Sequence, residues 1–366
     1  MRVLFISRAT LFSVKGGDTI QMQKTAEGLK TLGIDADIKL CNDTAIDYSQ
    51  YKLIHFFNII RPADCIYHIH KSRLPYVVST IYVDYSAYEN YSKKSRGVTG
   101  WLLGLLGRNS REYIKAIARM VVNGEKIISS EYLLWGHHCS VKYVLSNAAM
   151  LLPNSESEYQ RLQKHYKTAT PYSVVYNAAD TAMFNCLPDT IASKHSQMVL
   201  CVGRIEGRKN QLNLIRALNG SEFQLYIIGN YAPNHKAYYE ACRNEAADNI
   251  HFVNDIEQNQ LLNYYRNAKV HVLPSWFETT GLSSLEALFC GCIPVVTNYG
   301  DTKEYFNSSV AFYCDPASSS DILDKVKAAS VAVVNMNEVK NAMQRFNWQA
   351  TAVATAETYK QAITTS

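Results

Sequence analysis

The chain has 366 residues, 47% hydrophobic and 19% charged, which suits a globular protein too long for one ordinary core and excludes a disordered chain. A formal charge of +5 is compatible with anionic substrates or a lipid surface, and no basic-aromatic module marks a nucleic-acid binder. The nine cysteines are odd in number and scattered without a CxxC pair, so they read as reduced thiols, with no metal site expected. The N-terminal MRVLFISR is charged too soon for a signal peptide, and no apolar run reaches the roughly 20 residues of a membrane span. The expected location is the cytoplasm, with room for peripheral contact at the inner face of the membrane.

Arg2 to Ser7 reads as a first parallel strand, followed by Gly16-Gly17 and a helical pattern from Ile20 to Leu32 that ends at Gly33. A glycine pair before a helix lets backbone approach a ligand, or simply makes a turn. Further strands are predicted at Asp37 to Leu40, Leu53 to Phe57 and Tyr76 to Ile81, the last running into Tyr82-Val83-Asp84. Alternating strand and helix signals predict an open parallel sheet with ligands at its carboxyl end. His68 and His70 would share a strand face, but no third ligand lies nearby, so the pair reads as structural, as do His137 and His138.

Between Lys93 and Val121 basic residues outnumber the lone acid Glu112. With Ser110 as a cap, Tyr113, Ile114, Ile117, Met120 and Val121 form an apolar stripe while Arg108, Arg111, Lys115 and Arg119 line another face. With Trp101 and its leucines as a wedge this is a candidate membrane or acceptor surface; the alternative is a helix packed on the sheet. A strand at Ala148 to Pro153 precedes a capping box, Ser155 with Glu158, that opens a helix to about Tyr166. A strand at Tyr172 to Tyr176 leads into Asn177-Ala-Ala-Asp180, and the polar stretch after Leu187 is the expected domain boundary.

Met198 to Val202 opens a second domain. Arg204 and Lys209 flank the turn into a helix near Gln211, where two cations could hold a diphosphate or merely decorate a surface. Strands at Phe223 to Ile228 and Ile250 to Val253 end at Gly229 and Asn254, with helices at His235 to Ala247 and Glu257 to Ala268. The stretch KVHVLPSWFETTGLSSLEALFCGCIPVVTNYGDTKEYF, from Lys269 to Phe306, then reads as strand, loop, helix, strand. On the helix from Leu282 to Phe289, Glu286 shares the apolar face. Either its head reaches water, or it is buried and needs donors such as two sugar hydroxyls. Glu278 precedes the helix, so its side chain and the amides of Thr280, Gly281 and Leu282 can converge on one ligand. Helices near Asp321 to Ala329, Asn337 to Phe346 and Ala350 to Ile363 finish the chain.

ETTGLSSLE followed by AL and GCIPVV, together with Arg204 and Lys209 upstream, resembles the donor site of the retaining GT-B glycosyltransferases of family 4, of the bacterial polysaccharide and O-antigen type. Asn177-Ala-Ala-Asp180 is similar to that family's Asn-Gly-Val-Asp segment, with alanine for glycine. The resemblance implies two Rossmann-like domains facing a cleft: residues 1–186 for the acceptor, 187–347 for the nucleotide sugar, and 348–366 as a helix returning to the first domain. It implies that Gly16, Gly17 and Asp18 face the diphosphate and acceptor, that Arg204, Lys209 and the amides of Thr280, Gly281 and Leu282 hold the diphosphate, and that Gly229 and Val253 border the base. Glu278 would orient the sugar and Glu286 the ribose. Relatives carry a histidine near the reaction centre where this chain has Tyr82, which leaves the acceptor side to Tyr82 or Asp84.

The implied reaction is metal-independent sugar transfer, with retention, from a nucleotide diphosphate sugar to a hydroxyl of a saccharide acceptor, lipid-linked in surface polysaccharide assembly, with no cofactor and no nucleic-acid partner. The rivals are a sugar-nucleotide epimerase and a non-catalytic binding partner of another transferase. A nicotinamide dehydrogenase is excluded, because the first strand unit lacks the G-x-G-x-x-G turn.

Overall fold

A computed structural model describes residues 1–13, 16–93, 107–123, 129–185, 194–254 and 256–364. The chain divides into two compact units, Met1–Tyr82 with Glu89–Asn177 and Trp348–Ser366, and Val83–Tyr88 with Ala178–Asn347.

The first unit runs β1 (Arg2–Ser7), α1 (Gly17–Thr31), β2 (Asp35–Leu40), β3 (Leu53–Phe57), α2 (Pro62–Ser72), β4 (Tyr76–Ser79), α3 (Ser86–Lys93, shared with the second unit), α4 (Arg108–Asn123), α5 (Ser130–Ser146), β5 (Met150–Leu152) and α6 (Glu156–Tyr166). Its five strands are parallel in the order β2-β1-β3-β4-β5. The fully buried apolar runs of β1, β3 and β4 make the centre of that sheet, as expected of strands covered on both faces.

Three sequence expectations need correction here. His68 and His70 lie on α2, not on a strand: Pro62 opens a helix whose buried residues, Pro62, Ala63, Cys65, Ile66 and His68, follow helical spacing. Two residues apart on a helix, the histidines face different ways; His68 bonds the Tyr48 hydroxyl at 2.7 Å and the Cys41 carbonyl at 2.8 Å, while His70 meets the Tyr143 hydroxyl at 2.9 Å. Ser110 does not cap α4 but sits inside its first turn. Tyr172 to Tyr176 is extended and donates to the carbonyls of Leu151 and Pro153 through the Ser173 and Val175 amides, yet it forms only a single bridge, at Tyr172. Pro153 and Pro171 have no N–H, so the ladder cannot continue.

The second unit runs β6 (His195–Val202), α7 (Gln211–Leu218), β7 (Gln224–Ile228), α8 (Lys236–Glu245), β8 (Ile250–Val253), α9 (Gln258–Asn267), β9 (Ala268–Leu273), α10 (Leu282–Phe289), β10 (Ile293–Thr297), α11 (Thr302–Tyr305), β11 (Phe312–Cys314), α12 (Ser319–Val331) and α13 (Met336–Arg345). Six parallel strands stand in the order β11-β10-β9-β6-β7-β8. Val199, Cys201, Leu225, Ile227, Val270 and Val272 form the core of one sheet face, under Leu214, Ile215, Cys242, Ile322 and Val326 from the helices.

α14 (Trp348–Thr364) belongs to the first unit. Its small residues let it lie close on α1: a Cβ on Gly28 would come 2.6 Å from the Ala352 Cβ. Buried Ala356, Tyr359 and Ala362 join the core beside Val3, Phe5 and Leu53. The Tyr359 hydroxyl bonds Nδ1 of buried His55 at 2.6 Å, and His55 Nε2 meets the Ser79 hydroxyl at 2.8 Å. Burial holds His55 neutral, its pKa pushed down to about 3.

Candidate functional site

The carboxyl ends of β6, β7 and β8 are stepped together by backbone bonds: Gly203 N–H to Ile228 O, Gly229 N–H to Val253 O, and Ile205 N–H to Asn230 O, each at 3.0 Å. Gly229 has φ +140°, and a Cβ there would lie 2.4 Å from the Gly203 carbonyl oxygen, so the two turns close only with glycine at 229. The carbonyl of Val253 is thereby engaged by the Gly229 amide.

Past β6 a tight turn at Gly207–Lys209 aims Lys209 at the loop after β9, and Asn210 locks the turn by donating to the carbonyls of Pro274 at 3.0 Å and Pro316 at 2.8 Å. Lys209 Nζ donates to Glu278 Oε2 at 2.7 Å, and the Ser275 hydroxyl donates to the same oxygen at 3.1 Å. Burial opposes the lysine charge, but Glu278 beside it, with Glu206 behind, holds the ammonium above its ordinary pKa. One of the three ammonium donors serves Glu278, which leaves two for a ligand. Arg204 is exposed and makes no ion pair among the described residues. Arg208 chelates Glu206 with Nη2 at 3.1 Å from each oxygen, and its guanidinium lies 4.4 Å from the Tyr85 ring centre.

Glu278 is fixed through its backbone as well. The Asp301 amide donates to its carbonyl at 2.8 Å, and Gly300, at φ +98°, passes so close that a Cβ would sit 2.0 Å from that oxygen. Three residues on, Gly281 adopts φ +68° and opens α10 without a side-chain cap. The amides of Thr280, Gly281, Leu282 and Ser283 find no acceptor among the described residues, and the buried Thr280 hydroxyl has none either. Ser283 donates to the Val202 carbonyl at 2.9 Å, pinning this open helix end beside the end of β6. Such an end attracts an anion.

One turn into α10, Glu286 accepts from the Tyr265 hydroxyl at 3.1 Å. Burial raises its pKa to about 7; the Tyr265 bond pulls it down and the charge of Asp180 pushes it up. Tyr265, fully buried and edge-on to Phe184 at 5.8 Å, was missed in the sequence because its role depends on the return of α9 toward α10. Ser275 and Gly300 were missed as well. Each is ordinary in sequence and becomes specific only where β9 and β10 end side by side.

The remaining candidates lie in the first unit, except Asp84, which belongs to the short Val83–Tyr88 segment of the second. Gly16 starts α1 in extended backbone, its amide donating to the Thr19 hydroxyl at 3.2 Å, and Gly17 begins the helix. Asp18 is held by Arg8 through two bonds of 2.7 and 3.1 Å. Tyr82 is buried, with its hydroxyl 2.7 Å from His165 Nδ1 and its amide donating to Glu158 Oε1 at 2.8 Å. Asp84 accepts from the Ser86 amide at 3.0 Å. On α4, Arg111 pairs with Glu89, and Lys115 with Glu112 at 2.8 Å and Glu89 at 3.5 Å, so two of the expected basic residues are matched by carboxylates. Arg108 and Arg119 lie on the described backbone of α4, while Trp101 falls outside the described residues.

The profile of the family described as Glycosyl transferases group 1 matches residues 188–331. The D-inositol 3-phosphate glycosyltransferase 2 of Catenulispora acidiphila is 31% identical over 124 residues, 32% of this chain and 29% of that relative, so the chain spans less than a third of the protein it matches there. In structure the chain is similar to the sucrose-phosphate synthase of Thermosynechococcus elongatus, with a TM-score of 0.74, 18% identity and full coverage of both chains. It is also similar to Anabaena HepE in complex with UDP, with a TM-score of 0.72 and 15% identity over 98% of this chain and 100% of that one. The chain has the GT-B fold, and residues 188–331 form a glycosyl transferases group 1 domain.

Proposed function

We propose that the protein is a retaining glycosyltransferase that moves a sugar from a nucleoside diphosphate sugar to a hydroxyl of a saccharide acceptor. The observation that carries this reading is the Lys209–Glu278 pair set beside the four open amides of Thr280 to Ser283. A cation and a helix end supply charge for a departing diphosphate, and a carboxylate adjoins the place where the sugar must then sit. Arg204, exposed, adds a second cation. Glu286 meets the ribose hydroxyls, and Gly229 and Val253 border the base. The UDP complex of HepE supports a nucleotide ligand of this kind.

In the reaction the bond from the anomeric carbon to the diphosphate oxygen breaks, and the acceptor oxygen bonds that carbon on the same face. The leaving phosphate oxygen takes the acceptor proton. Lys209 and the amides stabilise the charge left on the diphosphate, so this scheme needs no metal. Binding and slow hydrolysis across UDP-, GDP-, ADP- and dTDP-sugars in the presence of a chelator, repeated with Glu286→Ala and Lys209→Ala, tests it. One donor bound and hydrolysed by the parent and by neither variant supports a transferase; a panel that never binds refutes it. A non-catalytic binding protein is the second reading, favoured by the engagement of Tyr82 with His165, and a donor that binds but is neither hydrolysed nor transferred would establish it.

A lipid-linked acceptor is the finer part of the proposal. Ile114 of α4 and Leu133, Leu134 and Trp135 of α5 are exposed, Leu134 at 84%, and Tyr113 ties the two helices by donating to the Leu133 carbonyl at 2.8 Å. Apolar side chains grouped in this way suit the acyl boundary of a membrane. Co-sedimentation with anionic vesicles, lost on Leu134→Glu, is the expected outcome.

A further inference from the structure

The other end of the second sheet holds a cavity that the donor site does not use. It has a volume of about 560 Å³ and opens against the amino-terminal ends of β6 and β7 and the last turns of α9. At about 3.3 Å per residue, the length of β6 places it roughly 20 Å from Lys209 and Glu278. Tyr226 and Tyr264 stand in its wall with ring centres 5.8 Å apart, and Tyr226 continues onto His251 at 4.8 Å. Around the rings lie the amides of Gln197, Gln224, Asn263 and Asn267.

The chemistry of this lining is narrow. No Lys, Arg, Asp or Glu is among the described lining residues, and the neighbouring Lys194 spends its ammonium on the carbonyls of Tyr265, Arg266 and Ala268 at 2.7, 3.2 and 3.0 Å. An anionic ligand therefore finds no permanent cation there, only His195 and uncharged amide donors. An acyl chain would strip water from four amides and return nothing. Gln224 gives its oxygen to His251 Nε2 at 2.8 Å and Asn267 its nitrogen to the Asn263 carbonyl at 2.8 Å, while the amides of Gln197 and Asn263 make no bond among the described residues. Each amide offers a donor and an acceptor, which matches a hydroxyl-bearing ring edge, and an aromatic face matches the C–H face of a pyranose. The volume lies within the range of sites for small molecules.

We propose that this cavity binds a neutral oligosaccharide, a stretch of acceptor or product glycan held apart from the point of transfer. The choice of a saccharide rests on the function proposed above; the placement of the site rests on the cavity alone. A glycan anchored here stays on the enzyme between encounters with donor.

The test is saturation-transfer NMR with neutral oligosaccharides of glucose, galactose, mannose and N-acetylglucosamine, run on the full chain and on Tyr264→Ala and Asn263→Ala, with nucleotide binding measured on the same samples. At least one oligosaccharide is expected to bind, each substitution to weaken it by about tenfold, and nucleotide binding to be unchanged. Asn263 is exposed, so its variant keeps the test open if Tyr264→Ala does not fold. A panel that is silent throughout, binding untouched by both substitutions, or binding displaced by the nucleotide sugar would overturn the assignment. Loss of nucleotide binding by the parent protein would instead refute the transferase reading while leaving the cavity result to stand by itself.

Discussion

Lys209 and Glu278, 69 residues apart, meet at 2.7 Å where the loops after β6 and β9 adjoin. The bond holds the lysine charged and the carboxylate aimed before any donor arrives. Lys209→Ala and Glu278→Ala are each expected to lower transfer by 10²- to 10³-fold, on the order of removing one preorganised donor. In a double-mutant cycle on unfolding, the pair should show a coupling of about 1.5–3 kcal/mol. Coupling near zero would mean that the two side chains do not meet in solution.

If Glu286 meets the ribose as proposed, donor binding is expected to be a proton-linked event. The Glu286 pKa stands at about 7 through burial, against an ordinary 4.5, so before a donor binds the carboxyl is partly protonated at neutral pH. Ribose hydroxyls that donate to the carboxylate favour the charged form, and binding between pH 5 and 7 should release a proton. Calorimetry in buffers of different ionisation enthalpy would show that release, and Glu286→Gln should abolish it. Without donor the sign for stability is the opposite of a salt-bridged acid: the unfolded chain gives up this proton first, so stability contributed by the neutral carboxyl falls as pH rises from 4.5 to about 7.

Gly300→Ala tests how firmly Glu278 is held. A methyl group there collides with the Glu278 backbone in a conformation L-residues rarely adopt. A loss of about 3 kcal/mol in unfolding free energy is expected, and transfer should fall further than the loss of folded protein explains. Unchanged melting would refute the close passage.

Tyr359→Phe removes the hydroxyl that His55 meets at 2.6 Å and leaves a buried ring nitrogen without its partner. The expected cost is about 1–3 kcal/mol in denaturant melts. His55 has its folded pKa depressed to about 3 by burial, as has His271 by burial and then the charge of Lys209. Stability is therefore complete above 6.5, the unfolded value, and is lost as pH falls toward 3, since only the unfolded chain takes up these protons. His55→Gln should flatten that acid limb.

The strands that the sequence predicts best, Leu53–Phe57 and Ile250–Val253, are short apolar runs bounded by turn residues, and the helix Leu282–Phe289 carries its stop in Cys290-Gly291. Those features are local, and so they can be read locally. His68 was placed on a strand because His-Ile-His alternates, although Pro62 six residues before it already announced a helix. Glu286 betrayed itself as a carboxylate on an apolar face, but its partner Tyr265 is one tyrosine among 25 and has no local mark. Nothing local marks the role of Arg208, because its partners, Glu206 and Tyr85, come from a neighbour and from a segment more than a hundred residues upstream. What distant segments do together is set by packing, and a single sequence does not display it.

The place of α14 in the first unit has a consequence for synthesis. Residues 178–347 can complete the second sheet as soon as they leave the ribosome, whereas Gly28, His55 and the faces of β1 and β3 wait for residues 348–364. The part of the chain made first is thus finished last, and until then the apolar face around Val3, Phe5 and Leu53 lacks its cover. A nascent chain halted before Trp348 is the form in which chaperones should find this protein.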